Sequence, residues 1–370
     1  MRVRPVAVML ALLLALGAVA GCNADGTLRL PTGVVYPSIT PVAGSTGVTA
    51  TRTFPFEGAP RTVMVTIDGA VLAGAQHAEK SVIRFGNARE NDWISDYYPA
   101  FAFEKHQDDF FAALIAQFRA IRDASGLDPD RYVELMTAYA QSLDYKVDPQ
   151  DLSPKFPIET AASGSGDCDD KALILGGLLS REGYDVAILL FGPEQHVALG
   201  IKTDGPDYRG TGYAYIETTT KGFVGMSPDS VGDGIKLASE PQVFTLGKGT
   251  KKFGASAQVA QILSAADTAK KRAVEIAGRV TAADAGLELL RSETSALKSR
   301  MDAALASGDT ATYNALVPSY NASAASFNDA VASRNALVAE HNGIVAIDTY
   351  VLDHLDDRPG VYAYIQAQPL

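Results

Sequence analysis

Two hydrophobic periods divide the chain. Up to about residue 250, short apolar runs and helical stretches alternate; beyond Val259 one helical period runs on almost unbroken. The stretch "TFPFEGAPRTVMVTI" alternates apolar and polar residues around Glu57-Gly58, which predicts a β-hairpin. "DDFFAALIAQFRAIRDASG" then places apolar residues three and four apart, the spacing of a helix. Asp128-Pro129 supplies a cap and a first-turn residue for a second helix through "DRYVELMTAYAQSL". The Pro-, Lys- and Asp-rich segment "DYKVDPQDLSPKFPIETAASGSG" reads as a loop that delivers the chain to Cys168.

From Cys168 the pattern becomes informative about chemistry. Asp167 is placed to cap a helix, and Asp170 sits where a capping box puts an acid. Ala172, Leu173, Leu175, Leu178 and Leu179 give that helix a buried face, and Gly176 and Gly177 let a neighbour approach closely. "DVAILLF" reads as a strand, "GPEQ" as a turn, "HVALGI" as a strand beginning at His196, and "TGYAYIETT" as a third. Tyr213, Tyr215 and Glu217 share one face of the third strand. Pairing His196 directly with Glu217 would centre the intervening turn between Pro206 and Asp207, inside "TDGPDYRGTG".

In the C-terminal third, Ile262, Ala266, Ala269, Ala273, Ile276, Val280, Ala283, Leu287 and Leu290 recur at steps of three and four, extended by Leu297, Met301 and Ala304. Thr294 is the polar interruption of this coiled-coil seam. Gly308-Asp309 breaks it, and a second series follows in which Asn314, Asn321, Asn328, Asn335 and Asn342 repeat every seven residues. Asn at each heptad is expected to specify register, and the short break implies an antiparallel hairpin. Pro318 is expected to kink or restart its second helix. Asn321-Ala322-Ser323 also fits a glycosylation sequon.

The N-terminus, "MRVRPVAVMLALLLALGAVAGC", has two arginines, an apolar stretch and small residues before Cys22. That is the pattern of a secretory signal over 1–21, too short for a spanning helix. Val19-Ala20-Gly21-Cys22 resembles a lipobox, which implies a diacylglyceryl group on Cys22; an ordinary signal peptide with a chance cysteine is the plainer alternative. Residues 22–52, mixing Gly, Pro, Ser and Thr without a period, read as a flexible linker. The expected setting is extracytoplasmic, with a lipid anchor in the cell membrane. The expected layout continues with an α+β domain over 53–250, the helical hairpin over 255–345 and a C-terminal tail over 346–370.

Charge and cysteine count narrow the classes. The chain of 370 residues carries a formal charge of −11 and no dense Lys/Arg cluster, which excludes nucleic acid as a partner. It has two cysteines; with Cys22 lipidated, Cys168 has no disulfide partner. A lone thiol in an exported protein is either inert by burial or kept for reactivity. At the first turn of a helix the thiolate gains about 0.3–1 kcal/mol, and the neighbouring carboxylates oppose it by a comparable screened amount. Activation therefore needs a base or cation, and His196 is the candidate, with Glu217 to orient its ring. His77, His106, His341 and His354 lack comparable settings, and Asp204 and Asp207 are alternative acids on the presumed turn. Gln141 is a candidate oxyanion-hole donor or a plain surface glutamine. Asp167, Asp169 and Asp170 serve most simply as capping residues; the other reading is a calcium site that would relieve their repulsion of the thiolate. No other cofactor is expected.

The order Cys, His, acid resembles the transglutaminase-like branch of the papain-type cysteine enzymes. "GDCDDKALILGGLLSREGYDV" looks like the block around that family's nucleophile, "HVALGI" like its histidine block and "YIETT" like its acid block. "PIET" and "AYAQSLDY" also look like family positions, so the resemblance covers a core of about 90–250. It implies a nucleophile helix packed on an antiparallel sheet, and a triad of Cys168, His196 and Glu217 acting on amide bonds of proteins or peptides. Two features depart from the family: Glu stands where many relatives carry Asp, and the helical hairpin lies outside the catalytic core. Water as acceptor gives a cysteine peptidase or amidase; a lysine amine gives a cross-linking transamidase. Hydrolysis is favoured because water needs no second binding site. The reading from another class is a catalytically silent envelope lipoprotein, a binding scaffold whose residues 255–345 dock an envelope protein.

Overall fold

The computed structural model describes residues 21–22, 28–29, 33–85, 93–148, 153–228, 230–231, 234–247 and 249–369. Of the expected signal peptide and lipidation site, only the backbone of Gly21 and Cys22 falls within them. The chain is α+β and divides into two compact units, Met1–Ala260 with Leu355–Arg358, and Gln261–His354 with Pro359–Leu370. No helix among the described residues is long and apolar enough to cross a membrane.

In the first unit the expected hairpin forms from β1 (Val48–Phe56) and β2 (Ala59–Ile67), paired from Val48↔Ile67 to Phe56↔Ala59. Its loop residues Glu57 and Gly58 have φ of 51° and 68°, the left-handed conformation a two-residue hairpin loop requires. Phe54, Phe56, Val63, Val65 and Ile67 face the core, alternating with exposed neighbours. The linker expected up to residue 52 is shorter than its composition suggests. Ile39 is 3% exposed within the core, and the Val42 N–H donates to Ala70 O at 2.9 Å. One apolar residue with a place to bury outweighs the Pro- and Ser-rich surroundings.

Four helices follow the hairpin: α1 (Gly69–His77), α2 (Ile94–Ala102), α3 (Asp108–Ser125) and α4 (Pro129–Ser142). α3 stops at Gly126, which takes φ 58°, and Asp128 caps α4 by accepting from the N–H groups of Asp130 and Arg131. The expected loop before Cys168 contains a short helix, α5 (Pro157–Ser163). Pro157 at its first turn and Glu159 reaching back to the Phe156 N–H start it.

The helix α6 (Cys168–Arg181) begins as expected, with Asp167 and Asp170 forming a reciprocal capping box. It packs on the sheet and against α4 and α5. A Cβ at Gly176 would stand 2.2 Å from Leu246 Cδ2, and one at Gly177 2.5 Å from Phe111 Cζ, so hydrogen is what fits there. The sheet comprises β3 (Val186–Phe191), β4 (His196–Lys202), β5 (Tyr213–Ile216) and β6 (Gln242–Thr245), in the order β5-β4-β3-β6 and antiparallel throughout. β3 and β4 are buried nearly end to end.

The register of β4 and β5 differs from the expected one. The ladder runs from Leu199↔Ile216 to Lys202↔Tyr213, two residues out from a direct His196–Glu217 pair. The cause lies in the turn. Asp207 accepts from the N–H groups of Gly210 and Gly212, gathering the loop toward its C-terminal half. A shift of two preserves the face of every side chain.

In the second unit α7 (Ser256–Ala306) and α8 (Thr310–Asp353) run antiparallel. Lys270 meets Asp348 at 3.4 Å, Asp284 meets Arg334 at 2.8 Å, and the Thr294 and Ser323 hydroxyls meet at 2.7 Å. The apolar series expected on α7 is its covered face; Ile262, Ala269 and Ile276 are the most buried. On α8 the expectation fails: Asn314, Asn321, Asn328, Asn335 and Asn342 are all exposed. The residues preceding them (Tyr313, Tyr320, Phe327, Arg334 and His341) lie on the covered side, with Leu316, Ile344, Ile347 and Val351 buried beside them. α8 continues through Pro318 and past residue 345. The expected tail also holds α9 (Arg358–Gln366), where Tyr364 stacks on Tyr350 with centroids 3.8 Å apart.

Candidate active site

Cys168 is the first residue of α6 and is partly buried. The backbone N–H groups of Asp169 and Val197 point to its sulfur. Val197 is the neighbour of His196 on β4, so the nucleophile candidate rests against the start of the histidine strand. The Thr218 hydroxyl, beside Glu217, donates to the Cys168 carbonyl at 3.5 Å. This bond ties the acid's loop to the first turn of α6.

His196 and Glu217 are 5% and 2% exposed, and the imidazole Nε2 lies 3.1 Å from Glu217 Oε2. The Tyr215 hydroxyl donates to the same oxygen at 2.7 Å. The other oxygen, Oε1, accepts from the Thr219 N–H at 2.8 Å and the Thr219 hydroxyl at 2.6 Å. Burial works against the ionised Glu217, but the hydrogen bond and charge of His196, with the two donors of Thr219, outweigh it. The carboxyl is held down to about 2. With Nε2 turned to the carboxylate, Nδ1 is the ring nitrogen left to exchange a proton with a sulfur.

The thiol itself is pushed well up from its ordinary value. Burial is the main cause, followed by the charges of Asp169 and Asp167, while the Val197 and Asp169 N–H groups pull the other way. The helix start therefore does not make a resting thiolate here; the sulfur needs a base at the moment of attack. Backbone N–H groups of the first turn have no intrahelical partner, which makes that of Cys168 the candidate oxyanion donor.

Neither amide hydrogen of Gln141 is free for an oxyanion. Its amide Nε2 donates to Glu217 O at 2.8 Å and to Gly222 O at 2.9 Å, which uses both hydrogens. It braces the loop that follows Glu217. The alternative acids are also accounted for: Asp204 meets Lys252 at 2.5 Å, and Asp207 holds its turn.

Carboxylate oxygens of Asp167, Asp169 and Asp170 come within 4.8 Å of one another, close enough to share a metal ion. Asp170 is already engaged by the Lys155 N–H at 2.5 Å and the Lys155 ammonium at 2.9 Å. Burial raises its pKa and that of Asp169, with Asp167 adding to both shifts.

Three partners escaped the sequence reading. Tyr215 was placed on the right face without a role, and Thr219, two residues past the acid, has the spacing for a local carboxylate bond. Lys171 was hidden in an apolar helix, yet it is 0% exposed, with Nζ donating to Leu143 O at 2.8 Å and Gln141 O at 3.4 Å. No family model, curated protein or solved structure matches the chain.

Proposed function

We propose that the first unit is a transglutaminase-like cysteine enzyme acting on amide bonds of proteins or peptides, with Cys168, His196 and Glu217 as its triad. The observation that carries this reading is the buried His196–Glu217 pair at 3.1 Å on the strand against which the Cys168 sulfur rests. Cys168 Sγ attacks the carbonyl carbon as its proton passes to His196 Nδ1. The C–N bond then breaks, the imidazolium returns the proton to the leaving amine, and a thioester remains. Water attacks the thioester with His196 again as base, giving a carboxylic acid and the free thiol. An amine in place of water would give a transamidated product. The signal-like 1–21 and the lipobox-like cysteine support a place at the cell envelope, anchored through Cys22, with the hairpin docking an envelope protein.

The test is iodoacetamide labelling of Cys168 at neutral pH, together with amide-bond turnover on casein in the presence of a fluorescent amine. His196→Ala should slow labelling by roughly a hundredfold, and Cys168→Ala should abolish new peptide termini. New termini indicate hydrolysis; amine incorporation indicates transamidation. The raised thiol pKa favours a second reading, a silent binding scaffold. Slow labelling that is unaffected by His196→Ala would select it.

A further inference from the structure

The mechanism leaves Lys171 without a task, although it lies one turn along α6 from Cys168 and is 0% exposed. A buried ammonium is costly unless polar groups take up its charge. Here its hydrogen bonds go to carbonyls, those of Leu143 and Gln141, at the C-terminal end of α4. That is the negative end of the helix dipole, which favours a cation. The Gln141 side chain in turn grips the carbonyls of Glu217 and Gly222.

We infer that Lys171 is a positioning residue for the triad: its ammonium fastens the end of α4, and through Gln141 the Glu217 loop, to the helix that carries Cys168. The inference rests on the triad reading above. Two routes then join the acid's loop to the nucleophile helix, the direct one through Thr218 and the buried one through Lys171. The second is ionised. Burial depresses Lys171 to about 8; the charges of Glu217 and Asp144 support its ammonium, and Arg52 on β1 opposes it.

The experiment uses the full chain and compares wild type with Lys171→Met and Lys171→Arg. Its readout is the rate of Cys168 alkylation by iodoacetamide, with near-UV circular dichroism reporting the fold. Lys171→Met, folded, should alkylate about tenfold more slowly at pH 7. Lys171→Arg keeps the charge and should stay within about threefold of wild type. A folded Lys171→Met with the wild-type rate would overturn the inference. Should that variant not fold, Gln141→Leu cuts the same route. It should slow alkylation about tenfold, and a wild-type rate would overturn the inference equally. If His196→Ala slows labelling while Lys171→Met does not, this inference alone fails. If His196→Ala has no effect, the triad reading fails instead.

Discussion

His196 and Glu217 meet along a diagonal of the sheet. The ladder pairs Leu199 with Ile216, so one further step sets Glu217 opposite Ala198, yet its Oε2 lies 3.1 Å from the His196 ring. Diagonal neighbours on one face are within reach of long side chains. The extra methylene of a glutamate covers the added distance, which gives a physical reason for Glu rather than Asp at this position. Glu217→Asp should therefore loosen the ring and slow labelling of Cys168, although the charge is kept; wild-type labelling would show that reach is not limiting.

The carboxyl of Glu217, held down to about 2, makes stability depend on pH in one direction. Its folded value lies below the ordinary 4.5, so its contribution is complete above about pH 4.5 and is lost as pH falls through 2. The contribution is about 3 kcal/mol. Denaturant unfolding between pH 5 and pH 2 should show this loss in wild type and a flatter profile in Glu217→Gln.

Tyr215→Phe removes a 2.7 Å bond to the same carboxylate without changing shape. The expected loss is about 1.5–3 kcal/mol in denaturant unfolding. His196 then faces the Oε2 of Glu217 without a competing donor.

Gln141→Leu separates a brace from an oxyanion donor. As a brace, its loss should speed amide hydrogen exchange over residues 217–222 and lower the melting temperature. An oxyanion donor would lower turnover by about 10²–10³ while leaving exchange unchanged.

In the hairpin, Asn328→Ala alters an exposed side chain and should stay within about 0.5 kcal/mol of wild type. Ile347→Ala empties a site that is 1% exposed and should cost about 2–5 kcal/mol. Equal effects would put the asparagines back in the seam.

The sequence carried the elements of the site better than their connections. Alternation placed His196, Tyr215 and Glu217 on one face, and capping chemistry placed Cys168 at a helix start, because both signals are local. The two-residue register shift was invisible because it depends on how Asp207 folds its own turn. The bracing role of Gln141 went unread for a related reason: its partners, Glu217 and Gly222, lie far along the chain. The asparagine repeat gave the right period and the wrong face. A strict seven-residue spacing fixes which residues align, and the large residues preceding each Asn were the better guide to burial.

The Thr294–Ser323 hydroxyl contact lies within a seam that also holds aliphatic residues of α7 and aromatic residues of α8. Sliding one helix past the other by a turn would break this contact and take from Ser323 its partner, while Thr294 kept only its bond to Leu290 O within its own helix. The two arms therefore have a single stopping point. At 1.5 Å per residue, the 51-residue α7 spans about 77 Å, so a slip of even one turn would misalign the two arms along their whole length.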